Sequence, residues 1–165
     1  MKKTVYMIGG PMGAGKTTVS QLLKKQLDHA VFLDGDWCWD ADPFVVTDET
    51  KAMVLDNICY MLNSFIACSA YSNIIFCWVM HEQSVIDYLL ENINISQCEV
   101  RLISLMADKE TLVKRLNKDV LQGIRKSDVI NRSLSRLPLY EKLDTIKIDT
   151  TGKEPELVAK EICSL

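Results

Sequence analysis

The chain has 165 residues and a formal charge of −3, from 19 lysines and arginines against 22 aspartates and glutamates. That length suits one domain, large enough to fold without disulfides or a structural metal. The near balance of charge, with no basic run longer than Lys2-Lys3 or Lys24-Lys25, argues against nucleic acid or an anionic membrane as the main partner.

Val5-Tyr6-Met7-Ile8 is a short β-branched and aromatic run ending at Gly9-Gly10, the form of a buried parallel strand. Directly after it stands Gly10-Pro11-Met12-Gly13-Ala14-Gly15-Lys16-Thr17, the pattern G-x-x-x-x-G-K-T. Thr17 to Leu27 continues as a helix, with apolar Val19, Leu22, Leu23 and Leu27 on one face. A strand, this loop and a helix in that order form a P-loop. Its glycines let backbone N–H groups close around a pyrophosphate, and the helix aims its positive end at the same oxygens. Lys16 reaches the β- and γ-phosphates, and Thr17 holds Mg²⁺. The expected nucleotide cradle is therefore Gly10, Met12, Gly13, Ala14, Gly15, Lys16, Thr17 and Thr18.

Ala30-Val31-Phe32-Leu33 reads as a second strand closing at Asp34-Gly35-Asp36, which puts both acids at a strand's carboxyl end, where open α/β sheets bind ligands. In an extended chain they point the same way and share a metal–water shell and an acceptor hydroxyl. Asp and Gly also form plain turns, and the neighbouring P-loop is what favours a functional role. An irregular stretch with Trp37, Trp39 and Phe44 follows, either an acceptor pocket or a cap on the core. Thr47 or Asp48 then caps a long helix reaching Ile66.

Asn73 to Met80 is a continuous apolar run suited to a central strand, and His81 to Leu90 reads as a helix. His81 and Glu82 are either plain helix-start residues or contacts to the acceptor or the metal's water shell. Glu99 to Leu105 forms a fourth strand, and Asp108 to Val120 an amphipathic helix. Leu121 to Arg136 is a polar, basic interruption, the composition of a mobile lid. Arg125, Arg132 and Arg136 are its candidates for stabilising a moving phosphoryl group, and Arg115 lies at its base, near the nucleotide base. Thr145 to Ile148 is a fifth strand, and Pro155 opens a closing helix to Ile162.

This alternation predicts a single doubly wound, mainly parallel sheet in one domain spanning residues 1–165, with the lid at about 121–136. The six scattered cysteines lack any C-x-x-C pair and read as reduced thiols of a cytoplasmic protein. Neither a signal peptide nor an 18-residue apolar span is expected.

The pattern resembles the P-loop small-molecule and nucleotide kinases, which include shikimate, gluconate, adenylyl-sulfate and nucleoside monophosphate kinases and chloramphenicol phosphotransferase. The resemblance rests on Gly10 to Thr18, Leu33 to Asp36, Leu112 to Leu116, Arg125 to Arg136 and Ile148 to Thr151. It implies an α/β, three-layer P-loop NTPase fold, with a five-stranded parallel sheet of order 2-3-1-4-5 flanked by helices and a short helical lid. It also implies ATP as phosphoryl donor with Mg²⁺, and a small-molecule acceptor.

By position it gives Asp36 the acceptor-facing or base role, with Asp34 as its metal-side neighbour beside Thr17. Arg115 would lie by the adenine, Asp149, Thr150 and Thr151 would wrap the base, and Arg125 and Arg132 would meet phosphate. Where shikimate kinases carry a glycine triplet, this chain has Trp78-Val79-Met80-His81-Glu82. That departure supports neither shikimate nor ordinary nucleotide acceptors, and leaves an acceptor site of Asp34, Asp36, Trp37, Trp39, Phe44, Trp78, His81 and Arg132. The catalytic set is Lys16, Asp36 and Arg125, in a phosphotransferase acting on a hydroxyl, as a monomer or homodimer. The other function class is a non-catalytic nucleotide-binding switch or regulatory ATPase-like protein, which needs no second substrate.

Overall fold

Alternation along the first strand sets the layers of the molecule. In the computed structural model, which describes residues 2–165, strand β1 (Lys3–Gly9) sends Val5 and Met7 into one core and Tyr6 and Ile8 into the other. Period-two side-chain direction requires this split. All four side chains are buried, so the strand is covered on both faces.

It pairs in parallel with β3 (Asn73–Cys77) on one side and β4 (Cys98–Met106) on the other. Outside these lie β2 (Ala30–Asp34) and β5 (Ile146–Asp149), giving the order β2-β3-β1-β4-β5. The three-layer α/β arrangement, the parallel sense and the strand order are those the resemblance implied.

One face is covered by α2 (Asp48–Ala67) and α3 (Gln83–Asn92), together with Tyr140 from α5 (Val129–Glu141). The other is covered by α1 (Lys16–Gln26) and α6 (Pro155–Cys163). Helix α4 (Lys109–Leu121) joins α5 through a small cluster of Ala107, Leu112 and Leu137. Local chemistry fixes the helix starts. Thr47 and Thr50 form a reciprocal capping box at α2, and the Asp108 carboxylate accepts from the Thr111 amide at 2.7 Å at α4.

Three boundaries differ from the sequence reading. Strand β3 stops at Cys77, and α3 begins at Gln83, so Trp78 to Glu82 is a connection, with His81 and Glu82 outside the helix. The pair Asp34 and Asp36 is not extended, because Gly35–Cys38 is a single 3₁₀ turn. The region read as one lid divides: 122–128 lacks helix, whereas Val129 onward is α5, with Val129, Ser133, Leu137 and Tyr140 buried. Its spacing of four, four and three is helical. Exposed Arg132, partly buried Arg136 and Pro138 near its end mask that stripe in the sequence. Among the described residues no helix is long and apolar enough to cross a membrane, and all six cysteines are free thiols.

Candidate active site

The central position of β1 brings Gly10 to the carboxyl edge of the sheet, between the ends of β3 and β4. There the loop must turn under tight limits. Gly10 has φ +150°, and a Cβ on it would stand 2.6 Å from the Leu105 carbonyl oxygen, so no other residue fits. Gly15, at φ 91°, is the cap from which α1 starts, and its carbonyl takes the Val19 amide at 2.9 Å. The amide end of α1 therefore opens beneath the loop, with Thr17 and Thr18 exposed on its first turn.

Lys16 crosses the loop and donates to the carbonyls of Gly10 at 2.8 Å and Pro11 at 3.1 Å. Burial lowers its pKa to about 8; Arg125 adds to that, while Cys77, Asp36 and Asp34 oppose it. Thr17 Oγ1 donates to Asp34 Oδ2 at 2.8 Å and stands 4.0 Å from Cys77 Sγ, joining α1 to the ends of β2 and β3. A thiol so close was not read from the sequence, and burial pushes it up to about 12, so it stays protonated. Thr17 and Asp34 together offer a hydroxyl and a carboxylate, both hard oxygen donors. That set fits Mg²⁺, which takes one or two protein oxygens and fills its remaining positions with water and phosphate.

The 3₁₀ turn gives the two acids different tasks. Asp34, buried, also accepts the Asp36 amide at 3.1 Å as the cap of the turn. Asp36 is exposed, and its Oδ1 accepts the indole N–H of Trp78 at 3.1 Å. Gly35 lets Trp78 pack closely on the turn, since a Cβ there would stand 2.5 Å from Trp78 Cγ.

The aromatics are split by the same turn. At about three residues per turn, positions 37 and 39 face different directions. Trp37 stacks edge-on against Phe32, at 5.3 Å, on the α1 side of the sheet, and is 60% exposed. Trp39 instead packs towards the α2 side and meets Phe44 at 4.4 Å. Trp39 and Trp78 thus lie against the core that α2 covers, with Phe44 on Trp39, whereas Trp37 lies against the other core and apart from them.

A cleft of about 620 Å³ runs from the P-loop past Arg115, Arg125 and Thr150. Arg115 donates to the Gly13 carbonyl at 3.3 Å and to Thr150 Oγ1 and O at 3.1 and 3.0 Å, clamping the loop to the segment after β5. Thr150 is buried and bonds the Met106 carbonyl, while Thr151 accepts the Asp108 amide at 2.9 Å. Asp149 is exposed and, like Thr151, absent from the lining of that cleft; hydrogen bonds from Thr151 hold its carboxyl below the usual range. Arg125 lines the cleft, paired with Asp119 at 3.2 Å. Arg132 is absent from that lining and is paired at 3.0 Å to Asp128, the residue just before its helix.

His81 is half-buried beside Glu82 at 3.4 Å; burial and then Arg136 push its pKa down, against the pull of Glu82, so the ring is neutral at pH 7. The sequence reading missed two residues of α5 that hold the loop itself. Ser133 donates to the Met12 carbonyl at 2.7 Å, and Tyr140 donates to the carbonyls of Gly10, at 2.8 Å, and Val79. The buried stripe of α5 was the signal that would have found them.

The chain matches the model of the AAA domain over residues 7–131. A shikimate kinase of Pseudomonas aeruginosa is 26% identical over 170 aligned positions, covering 93% of this chain and 90% of that one. Among solved structures, the tunicamycin resistance protein of Deinococcus radiodurans superposes with a TM-score of 0.71 at 18% identity, over 99% of this chain and 95% of that one. A gluconokinase of Sinorhizobium meliloti superposes with a TM-score of 0.70 at 17% identity, over 99% and 90%. The family model spans the P-loop, both acids and α4, and so the chain belongs to the AAA domain family of P-loop proteins, with small-molecule kinases among its relatives at low identity.

Proposed function

We propose that the protein is a phosphotransferase that moves the γ-phosphate of ATP to a hydroxyl of a small molecule. The observation that carries this reading is the hydrogen bond from Thr17 to Asp34, with Asp36 two residues on beside Trp78. A phosphate-holding helix start and an exposed carboxylate meet there at one edge of the sheet. Such an arrangement serves transfer between two bound molecules, because phosphoryl transfer depends on positioning and charge neutralisation more than on a covalent nucleophile.

On this reading the amides of Gly13 to Thr17 bind the phosphates. Lys16 leaves the carbonyls of Gly10 and Pro11 to follow the moving charge. Asp36 orients the acceptor hydroxyl and takes its proton, its geometry set by the Trp78 indole. Arg125 leaves Asp119 to meet the transferred group, and closure of 122–128 excludes water. Thr17, and Asp34 through water, would hold Mg²⁺, which neutralises phosphate charge when bound.

ATP consumption measured across nucleosides, sugars, aminoglycosides and phenicols, with and without Mg²⁺, tests the proposal. Metal-dependent turnover stimulated by one class is the expected result. Intact ATP binding with no stimulation by any acceptor would refute transfer and leave a nucleotide-binding switch.

A further inference from the structure

We infer that the acceptor is a small alcohol with an apolar ring face and no anionic group; this rests on the phosphotransferase reading above and concerns its second substrate. The side that would meet the acceptor is built from the segment between β2 and β3. From Gly35 to Ser72 this segment carries Asp36, Asp40, Asp42, Asp48, Glu49 and Asp56, and a single amine, Lys51. Lys51 is already paired with Asp48 at 3.6 Å. No arginine or histidine lies in the segment. A carboxylate or phosphate on the acceptor would approach a surface of its own sign, with no cation of this segment free to receive it.

The apolar content of the same segment is unusual for an exposed loop. Trp39 and Phe44 stand 4.4 Å apart in a tilted pair, and Trp78 packs closely on Gly35 with its N–H tied to Asp36. Phe44 is 58% exposed, and Val45 and Val46 beside it are also exposed. Aromatic faces bordered by carboxylates suit an uncharged ring or a protonated amine, and the negative face of each ring adds to the attraction of a cation. The Asp36 carboxylate then reaches a hydroxyl at the edge of that ring. Outside the segment, Lys16 acts on Asp36 from the P-loop side, and Arg136 of α5 lies beside His81 and Tyr140; Arg136 is the group an anionic acceptor would need.

All three tryptophans of the chain, Trp37, Trp39 and Trp78, belong to this segment or its border. Their fluorescence therefore reads acceptor binding without any turnover. The test titrates the whole chain with matched probes: methyl shikimate against shikimate, and the series tyramine, tyrosol and 4-hydroxyphenylacetate, exciting at a wavelength that selects tryptophan. A phenicol and an aminoglycoside complete the set.

We expect quenching by the non-anionic member of a pair at concentrations at least tenfold below its anionic counterpart. Replacing Asp40, Asp42, Asp48 and Glu49 by their amides should narrow that ratio severalfold, and Trp39→Leu should weaken binding of the neutral probe. Preference for the anionic members, especially if lost in Arg136→Gln, overturns the inference, as does a set in which no probe changes the fluorescence. If non-anionic probes bind but none is phosphorylated, the transferase reading fails and the non-anionic class stands as that of a ligand rather than an acceptor. If an anionic compound is phosphorylated, the acceptor class fails and the transferase reading stands.

Discussion

Replacing Tyr140 by phenylalanine tests whether α5 governs the phosphate loop. The ring of Tyr140 is fully buried, so phenylalanine keeps its packing and removes only the hydroxyl. That hydroxyl donates to the carbonyls of Gly10 and Val79, one from the P-loop and one from the connection after β3. Burial raises the phenol above its usual range, so it remains a donor across neutral pH. Without it, Gly10 retains the ammonium of Lys16 at 2.8 Å, but the Val79 carbonyl loses this donor.

A buried acceptor left without a partner costs about 1–3 kcal/mol. Because one of the two carbonyls keeps a donor, a loss near the lower end, about 1–1.5 kcal/mol, is expected. In a chain of this size that corresponds to a fall in Tm of about 2–6 °C. Ser133 lies seven residues, or two turns, earlier on the same face, and Ser133→Ala should cost a similar amount by freeing the Met12 carbonyl. The Gly10 and Met12 carbonyls both belong to the loop, and either one swinging inward would oppose a phosphate. ATP affinity should therefore fall severalfold in each variant, and the double variant should lose less than the sum, since both act on one loop. Urea unfolding and nucleotide titration measure these effects. Stabilities within about 0.3 kcal/mol of the parent for both variants, with unchanged nucleotide affinity, would refute a latch on the loop.

Four further outcomes follow from the site. Lys16 is less readily protonated folded than unfolded, so the unfolded chain binds more protons between pH 8 and 10.5, and stability should rise with pH across that window by up to about 3 kcal/mol; Lys16→Met should flatten that part of a urea-derived stability curve, and parallel curves would exclude the burial cost. Asp36→Asn should lower turnover by orders of magnitude while leaving ATP binding nearly intact, whereas equal loss of both in titration and steady-state assays would exclude a role for the carboxylate in transfer. Gly35→Ala would force Trp78 off the turn, with a cost of about 1–3 kcal/mol and a shift in tryptophan emission; an unchanged spectrum would contradict the packing. Thr17→Val removes the hydroxyl facing Asp34, and Mg²⁺ dependence of ATP affinity should weaken at least tenfold, with little change in metal-free binding.

How far the sequence predicts this molecule depends on the range of the interaction concerned. The P-loop was legible because its glycines, lysine and threonine act within eight residues, between a strand and a helix whose apolar periods are unmistakable. The strand order came from resemblance, since neighbours such as Val5 and Val100 are brought together by pairing across nearly a hundred residues. The latch from α5 was hidden for a similar reason. Ser133 and Tyr140 bond carbonyls more than 120 residues away, and a carbonyl leaves no mark in a sequence. Thr150 stands in the sequence only as a candidate for the nucleotide end, and nothing there marks it as a buried anchor, because its partners, Met106 and Arg115, come from β4 and α4.

The acid pair shows how a small conformational difference redirects a motif. An extended Asp34-Gly35-Asp36 would turn both carboxylates towards one point, leaving them to compete for a single metal or hydroxyl. The 3₁₀ turn instead makes Asp34 its cap and holds it against Thr17, on the nucleotide side, while Asp36 moves on to the indole of Trp78. Gly35 is what permits this, since only a residue without Cβ lets the indole lie on the turn. Trp78 stands directly after β3, and its amide still bonds the Ile8 carbonyl at 3.2 Å, so the strand end fixes the indole and the indole fixes Asp36. The aromatic residue that departs from the glycine-rich pattern of shikimate kinases is thus tied to the proposed base itself. A change at position 78 should therefore alter the orientation of Asp36 as well as the shape of the acceptor site, and acceptor choice and turnover should shift together.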